Sequence, residues 1–208
     1  MALTADAFRK IENHLLRSAE IKRQTAASCA ASIARAAEVI AETFLSSGKL
    51  LLCGNGGSAA DCQHIAAEFV SRFSKDLDRP AMPAIALTTD TSFLTAFGND
   101  YGFEGIFERQ VEALGSSGDV LIGISTSGNS PNVIRALEAA KKKNMYTIAL
   151  TGNSGRLAGV ADVAIAVPSG DTQHIQETHL TIEHVLCELV EIILFREPSA
   201  QPAKHNRC

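Results

Sequence analysis

This 208-residue chain has no basic face. Acidic residues outnumber lysine and arginine by 23 to 19, and the formal net charge is -4. Aromatic residues make up only 5% and do not interleave with basic ones. That composition argues against nucleic acid as a direct ligand. No apolar run is long enough to span a bilayer. Met1 to Glu12 lacks the apolar region of a secretory signal. The five cysteines, Cys29, Cys53, Cys62, Cys187 and Cys208, show no paired spacing. Neither a disulfide framework nor a zinc knuckle is expected, and reduced thiols point to the cytoplasm. Cys53 and Cys187 sit in apolar runs and are expected in the core. There is no internal repeat and no linker. The length suits one α/β domain, taken as residues 1–196, with a polar tail over 197–208 expected to be disordered.

Val120-Leu-Ile-Gly-Ile124 is a run of β-formers that ends in Ser125, Thr126, Ser127, Gly128, Asn129 and Ser130. Pro131 then opens an amphipathic stretch reaching Lys143. The order predicts strand, hydroxyl-rich turn and helix, with Ser130 at the N-cap and proline in the first turn. A helix start offers free N–H groups and partial positive charge, so several hydroxyls and amides would converge on one anion. The Gly-Lys-Ser/Thr ending of a nucleotide-binding P-loop is missing, which suits a phosphomonoester better than a nucleoside triphosphate. A second apolar run, Lys49 to Cys53, leads into Gly54-Asn55-Gly56-Gly57-Ser58 and a helical pattern from Ala59 to Phe73. Glycines there allow close backbone approach to a ligand. Two such turns place a ligand over the carboxyl ends of a parallel sheet.

These segments carry a resemblance. Cys53-Gly-Asn-Gly-Gly-Ser-Ala-Ala-Asp-Cys-Gln-His-Ile-Ala-Ala-Glu68 and Ile124-Ser-Thr-Ser-Gly-Asn-Ser130 resemble the sugar isomerase (SIS) superfamily, and within it the phosphoheptose isomerases. Leu87-Thr-Thr-Asp-Thr-Ser92, Gly98-Asn-Asp-Tyr-Gly102, Gly118-Asp-Val-Leu-Ile122 and Ile175-Gln-Glu-Thr-His179 add to it, so the match runs from about Phe8 to Phe195. It implies a flavodoxin-like three-layer α/β sandwich with a five-stranded parallel sheet. It also implies an aldose–ketose isomerase that makes heptose 7-phosphate from sedoheptulose 7-phosphate for bacterial surface polysaccharide. Within the superfamily, the alternatives are a DnaA-binding adaptor and another sugar-phosphate isomerase such as that of arabinose 5-phosphate. The adaptor branch lacks a glutamate at the position of Glu68, which this chain has. The arabinose enzymes usually carry appended domains for which this chain has no room.

Element by element, two N-terminal helices are expected over Ala5–Ile21 and Ala26–Ser46, closed by Gly48. Strands are expected at Lys49–Cys53, Ala84–Leu87, Val120–Ile124, Tyr146–Leu150 and Val163–Val167, short and apolar as buried parallel strands are. The last helix, about Thr172 to Phe195, is apolar around most of its circumference, which calls for burial against further copies of the chain. The resemblance implies a homotetramer.

His64 and Glu68 are four apart and share a helix face, a spacing that suits one metal ion or a base beside a substrate. Alone, the pair reads as an exposed ion pair; its place after the glycine turn favours the site. His184, among Val185, Leu186 and Cys187, reads by itself as a core imidazole. The resemblance implies otherwise: a metal, zinc in expectation, on His64, Glu68, Gln176 and His184, with Glu68 and His184 catalytic. It implies substrate contacts from Asn55, Gly56, Gly57, Glu68, Arg72, Asn99, Asp100, Ser125, Thr126, Ser127, Ser130 and Gln176. His174 departs from the family, which usually has Arg or Lys there. An enediol route needs a base near neutral pH and a second proton carrier, roles suited to a carboxylate and an imidazole. A group bound to zinc carries protons poorly, so either the metal is organisational or its ligands exchange. Gln176 and His184 are eight residues apart, about 12 Å on an unbroken helix. They are therefore expected to reach one site from different subunits, unless the helix starts after Gln176.

Overall fold

The computed structural model describes residues 4–195. The tail over 197–208, and Cys208 with it, lies outside them. Helix α1 (Ala5–Leu45) is followed by β1 (Leu50–Gly54), α2 (Gly57–Val70), β2 (Ala84–Ala86), α3 (Thr91–Tyr101), a 3-10 turn at Phe103–Gly105 and α4 (Ile106–Leu114). Then come β3 (Val120–Ser125), α5 (Pro131–Lys142), β4 (Tyr146–Thr151), α6 (Leu157–Val160), β5 (Val163–Ala166) and α7 (Thr172–Phe195).

The two expected N-terminal helices are one. No glycine or proline interrupts Ala5–Leu45. Ser18, Ile21, Thr25, Cys29, Ile33, Ala36 and Ile40 are buried at steps of three and four, so one stripe runs through the polar stretch expected to break the helix. Thr25 Oγ1 donates to the Ile21 carbonyl, 2.8 Å away, inside that stretch. The helix ends in paired bonds, Gly48 N to Thr43 O and Ser47 N to Phe44 O, with Ser47 left-handed at φ 62°. Gly48 follows that left-handed residue, which the sequence pattern had suggested would be the glycine itself.

The five strands are all parallel, in the order β2-β1-β3-β4-β5. Alternation along each strand splits the core between two faces. Leu50, Leu52, Val120 and Ile122 face α1, α2 and α7, while Leu51, Cys53 and Leu121 face α4 and α5. Helices on both faces give the expected three layers. Strand order reverses between β1 and β3, and both of the turns singled out above leave that pair of strands.

Helix α7 is unbroken from Thr172, so Gln176 lies within it. It packs along α1, but Leu180 and Ile193 stay exposed, as do Phe8, Ile11, Leu15 and Leu16 of α1. No helix among the described residues is long and apolar enough to cross a membrane.

His179 fastens α7 to the sheet. Its Nε2 lies 3.2 Å from the Thr151 carbonyl, so that nitrogen carries the proton, and the buried Nδ1 has no partner. Burial pulls its pKa down to about 4. The unfolded value near 6.5 is higher, so this neutral imidazole contributes stability that is complete above pH 6.5 and lost progressively as pH falls from 6.5 to about 4. Unfolding free energy should drop by about 2 kcal/mol between pH 7 and pH 5 from this group alone. Urea unfolding of the wild type and of His179→Gln at both pH values checks this, because the variant should lose that part of the slope.

Candidate active site

The Ser125–Ser130 turn is closed by its own hydroxyls. Ser125 Oγ lies 2.9 Å from Ser130 Oγ and 3.4 Å from Ser127 Oγ. Gly128 takes φ 65°, a conformation that a side chain would strain. Ser130 occupies the N-cap of α5, but its side chain makes no capping bond. Pro131 has no N–H and the Val133 amide is taken by Asn132 Oδ1, so among the described residues the Asn132 amide is the one in the first three positions of α5 left without an acceptor, in the place where a helix start receives an anion.

The glycine turn lies beside it. Asn55 and Asn132 exchange two amide bonds, each 2.9 Å, and lock the β1–α2 turn to the start of α5. Asn132 also accepts from the Val133 amide. A Cβ on Gly57 would overlap the Gln176 side-chain amide and displace it. The close approach that this glycine allows is therefore that of Gln176, not only that of a ligand. Gln176 Nε2 also donates to Asp61 Oδ2 at 3.4 Å.

Two turns further along α2, His64 Nε2 lies 2.8 Å from His184 Nε2 and 3.7 Å from Glu68 Oε1. The three groups meet within one chain, because α2 and α7 run side by side. Phe73 closes the His184 side, with ring centroids 5.8 Å apart. His64 is 41% exposed at the side chain and Glu68 24%, so the cluster opens outward between the helices. His64 thus stands between His184 and Glu68, and two imidazoles with a carboxylate are donor types that suit a divalent metal. Gln176 is eight residues before His184 on the same unbroken helix, about 12 Å along its axis. It lies beside Gly57 and Asp61, apart from the His64 cluster. Asn99 and Asp100 are exposed on α3, where Asn99 Nδ2 donates to Asp100 Oδ1. Arg72 is exposed. Among the described residues, no hydrogen bond or ion pair ties these three side chains to either turn.

A family model described as SIS domain matches residues 15–152. The chain is 55% identical to the phosphoheptose isomerase of Roseiflexus sp. (strain RS-1), over 93% of this chain and 98% of that one. The chain belongs to the phosphoheptose isomerase family. The solved phosphoheptose isomerase of Neisseria gonorrhoeae is 44% identical and superposes with a TM-score of 0.83, over 89% of this chain and 98% of that one. That of Francisella tularensis is 40% identical with a TM-score of 0.85, over 90% and 98%. Members of this family are isomerases, and this chain is an enzyme of that kind.

Several residues around the cluster gave no signal of their role in the sequence. Asp61 is buried, and desolvation raises its pKa against the bond from Gln176. Glu183 is wholly buried with both carboxyl oxygens unpartnered. Burial, and then the nearby Asp61, push its pKa up to about 8, so it is neutral at pH 7. Arg79 reaches from a loop to Glu191, Nε to Oε1 at 2.7 Å, and donates to the carbonyls of Glu68 and Phe69 at the end of α2. An isolated arginine in a Pro-rich loop carries no pattern that would identify it. Asp61 could have been found as the residue one turn before His64.

Proposed function

We propose that this enzyme interconverts sedoheptulose 7-phosphate and D-glycero-D-manno-heptose 7-phosphate through an enediol, in the cytoplasm, as the first step towards nucleotide-activated heptose for surface polysaccharide. The observation that carries this reading is His64 placed between His184 and Glu68, on the helix whose start is locked to the hydroxyl-rich turn before α5. Along α2, His64 is seven residues from Gly57, roughly 10 Å. A seven-carbon sugar, with its phosphate at one end and its reacting carbons at the other, needs such a separation between anion site and proton chemistry.

The phosphate is bound by Ser125, Thr126, Ser127, Ser130 and the free Asn132 amide at the start of α5. Asn55, Gly56 and Gly57 line the sugar, with Asn99, Asp100 and Arg72 as contacts reached in the assembly. Glu68 takes the proton from C1 of the ketose and returns it to C2. His184 trades protons with the C1 and C2 oxygens. His64, Glu68 and His184 would hold a divalent ion, zinc by their donor types, with Gln176 from a second copy of the chain. When bound, the ion supplies Lewis-acid polarisation of the carbonyl. Phe73 and the flanking helices limit water at the reacting carbons.

The assembly in this reading is a homotetramer with active sites at subunit interfaces. The exposed apolar residues of α1 and α7 support it, since such patches on a monomer mark contact surfaces. The same-chain position of His184, His64 and Glu68 dictates which hybrids should work. Gln176→Ala and His184→Ala chains are each expected to be inactive. Mixed tetramers should regain part of the turnover, because a Gln176→Ala chain keeps its cluster and receives Gln176 from its neighbour. Absence of recovery despite proven subunit exchange would contradict the shared site.

The phosphate turn is tested separately. Ser127→Ala or Ser130→Ala removes a hydroxyl donor to an anion, worth about 1.5–3 kcal/mol. KM for the sugar phosphate should rise roughly 10- to 100-fold at that cost, with little change in Tm. An unchanged KM in both variants would contradict the phosphate site.

A further inference from the structure

A second group of ligating side chains lies where α7 begins, on its α1 side. His14 Nε2 is 2.9 Å from Glu177 Oε1. Ser18 Oγ donates to Glu177 Oε2 at 2.6 Å. His174 Nδ1 stands 3.5 Å from that same Oε2 without hydrogen bonding to it. The His14 and His174 rings are 4.3 Å apart between centroids. One ligand atom from each of His14, His174 and Glu177 can be chosen so that all three lie within 4.8 Å of one another.

Two features point to a bound cation and not simply an ion pair. His174 is only 6% exposed at the side chain, and its buried Nδ1 is left without a partner, a cost that native structures rarely leave uncompensated. The separations also suit coordination. Tetrahedral zinc, with bonds of about 2.0–2.2 Å, holds its ligand atoms roughly 3.2–3.6 Å apart. The 3.5 Å from His174 Nδ1 to Glu177 Oε2 falls within that range, and the 2.9 Å from His14 Nε2 to the other oxygen, Oε1, lies just below it. His14, 48% exposed at its side chain, leaves an entry path and room for a water ligand. Ser18 holds the carboxylate from behind, as supporting groups do around metal ligands.

We propose that His14, His174 and Glu177 form a divalent-metal site of the imidazole-and-carboxylate type that zinc favours, separate from the His64 cluster. It would fasten the outer half of α1 to the first turns of α7. Glu177 follows Gln176 directly, and their side chains point to α1 and α2 respectively. The ion would therefore steady the turn of α7 that presents Gln176. The site stands independently of the isomerase reading, since its ligands take no part in the chemistry.

The test is a metal count on full-length protein. Protein stripped by a chelator is loaded with Zn2+, dialysed, and analysed for zinc per chain. The wild type should hold two equivalents. His14→Gln and His174→Arg should each hold one, and His64→Gln should also hold one. His14→Gln/His64→Gln should hold none. In the His64→Gln background, zinc should raise Tm, and His14→Gln should abolish that rise. Circular dichroism and gel filtration establish that each variant is folded, and His184→Gln replaces His64→Gln if the latter is not. Equal zinc in the wild type and both α1–α7 variants would overturn the proposal, as would no zinc in either folded His64→Gln or His184→Gln.

Discussion

Replacing Glu68 with Gln should lower turnover by about 100- to 10,000-fold, the span typical of a lost general base. That corresponds to roughly 3–5 kcal/mol of barrier, at about 1.4 kcal/mol per tenfold. The substitution keeps the side chain's shape, and Glu68 is partly exposed, so folding should be unaffected. Binding should survive in part, because the serine turn and the Asn132 amide are untouched. The expected signature is a collapse of kcat with a KM within a few-fold of wild type. Turnover close to wild type would remove Glu68 from the role of base. The result is sharpened by His64, whose Nε2 lies 3.7 Å from the Glu68 carboxylate and 2.8 Å from His184. A metal-site defect alone should be repaired in part by excess zinc, whereas loss of the base should not.

The largest stability effect should come from a residue that takes no direct part in the chemistry. Arg79 and Glu191 form an ion pair with side chains only 0% and 3% exposed. Glu191 also accepts from the amides of Phe73 and Ser74. Arg79→Ala leaves Glu191 as a buried charge without its cation, which typically costs about 3–5 kcal/mol. For a chain of this size that is a fall in Tm of roughly 10 °C. It also frees the carbonyls of Glu68 and Phe69 that Arg79 holds, so kcat should fall as well as stability. Removing both partners, as Arg79→Met/Glu191→Leu, should restore much of the stability and less of the turnover. Thermal melts of the single and double variants measure this directly. A single variant melting within about 2 °C of wild type would show that the pair contributes little.

The sheet was legible because buried parallel strands read as short apolar runs between turn residues, and all five expected strands are present within a residue or two. Helix α7 was legible for its continuous apolar character. The break expected in α1 was not real. Lys22, Arg23 and Gln24 form a polar stretch between the two helices that were expected, but Ile21 and Thr25 keep the buried stripe continuous through them. Ser130 was expected to cap α5 with its hydroxyl, yet that hydroxyl turns to Ser125, a choice set by the fold of the loop and not by the motif. His184 illustrates the limit most clearly. Its neighbours are apolar and read as core; the resemblance implied a shared site with His64, and the packing of α7 along α2 brings the two rings together. The Asn55–Asn132 lock and the Arg79–Glu191 pair join residues 77 and 112 positions apart, and no local pattern encodes such contacts.

The central claim is that this chain moves a proton between C1 and C2 of a seven-carbon ketose phosphate. The most direct measurement is an NMR time course of purified protein with sedoheptulose 7-phosphate. The account predicts the appearance of D-glycero-D-manno-heptose 7-phosphate until equilibrium, its loss on chelation, and its return when zinc is restored. No heptose phosphate from folded, zinc-loaded wild-type protein over many hours would contradict it.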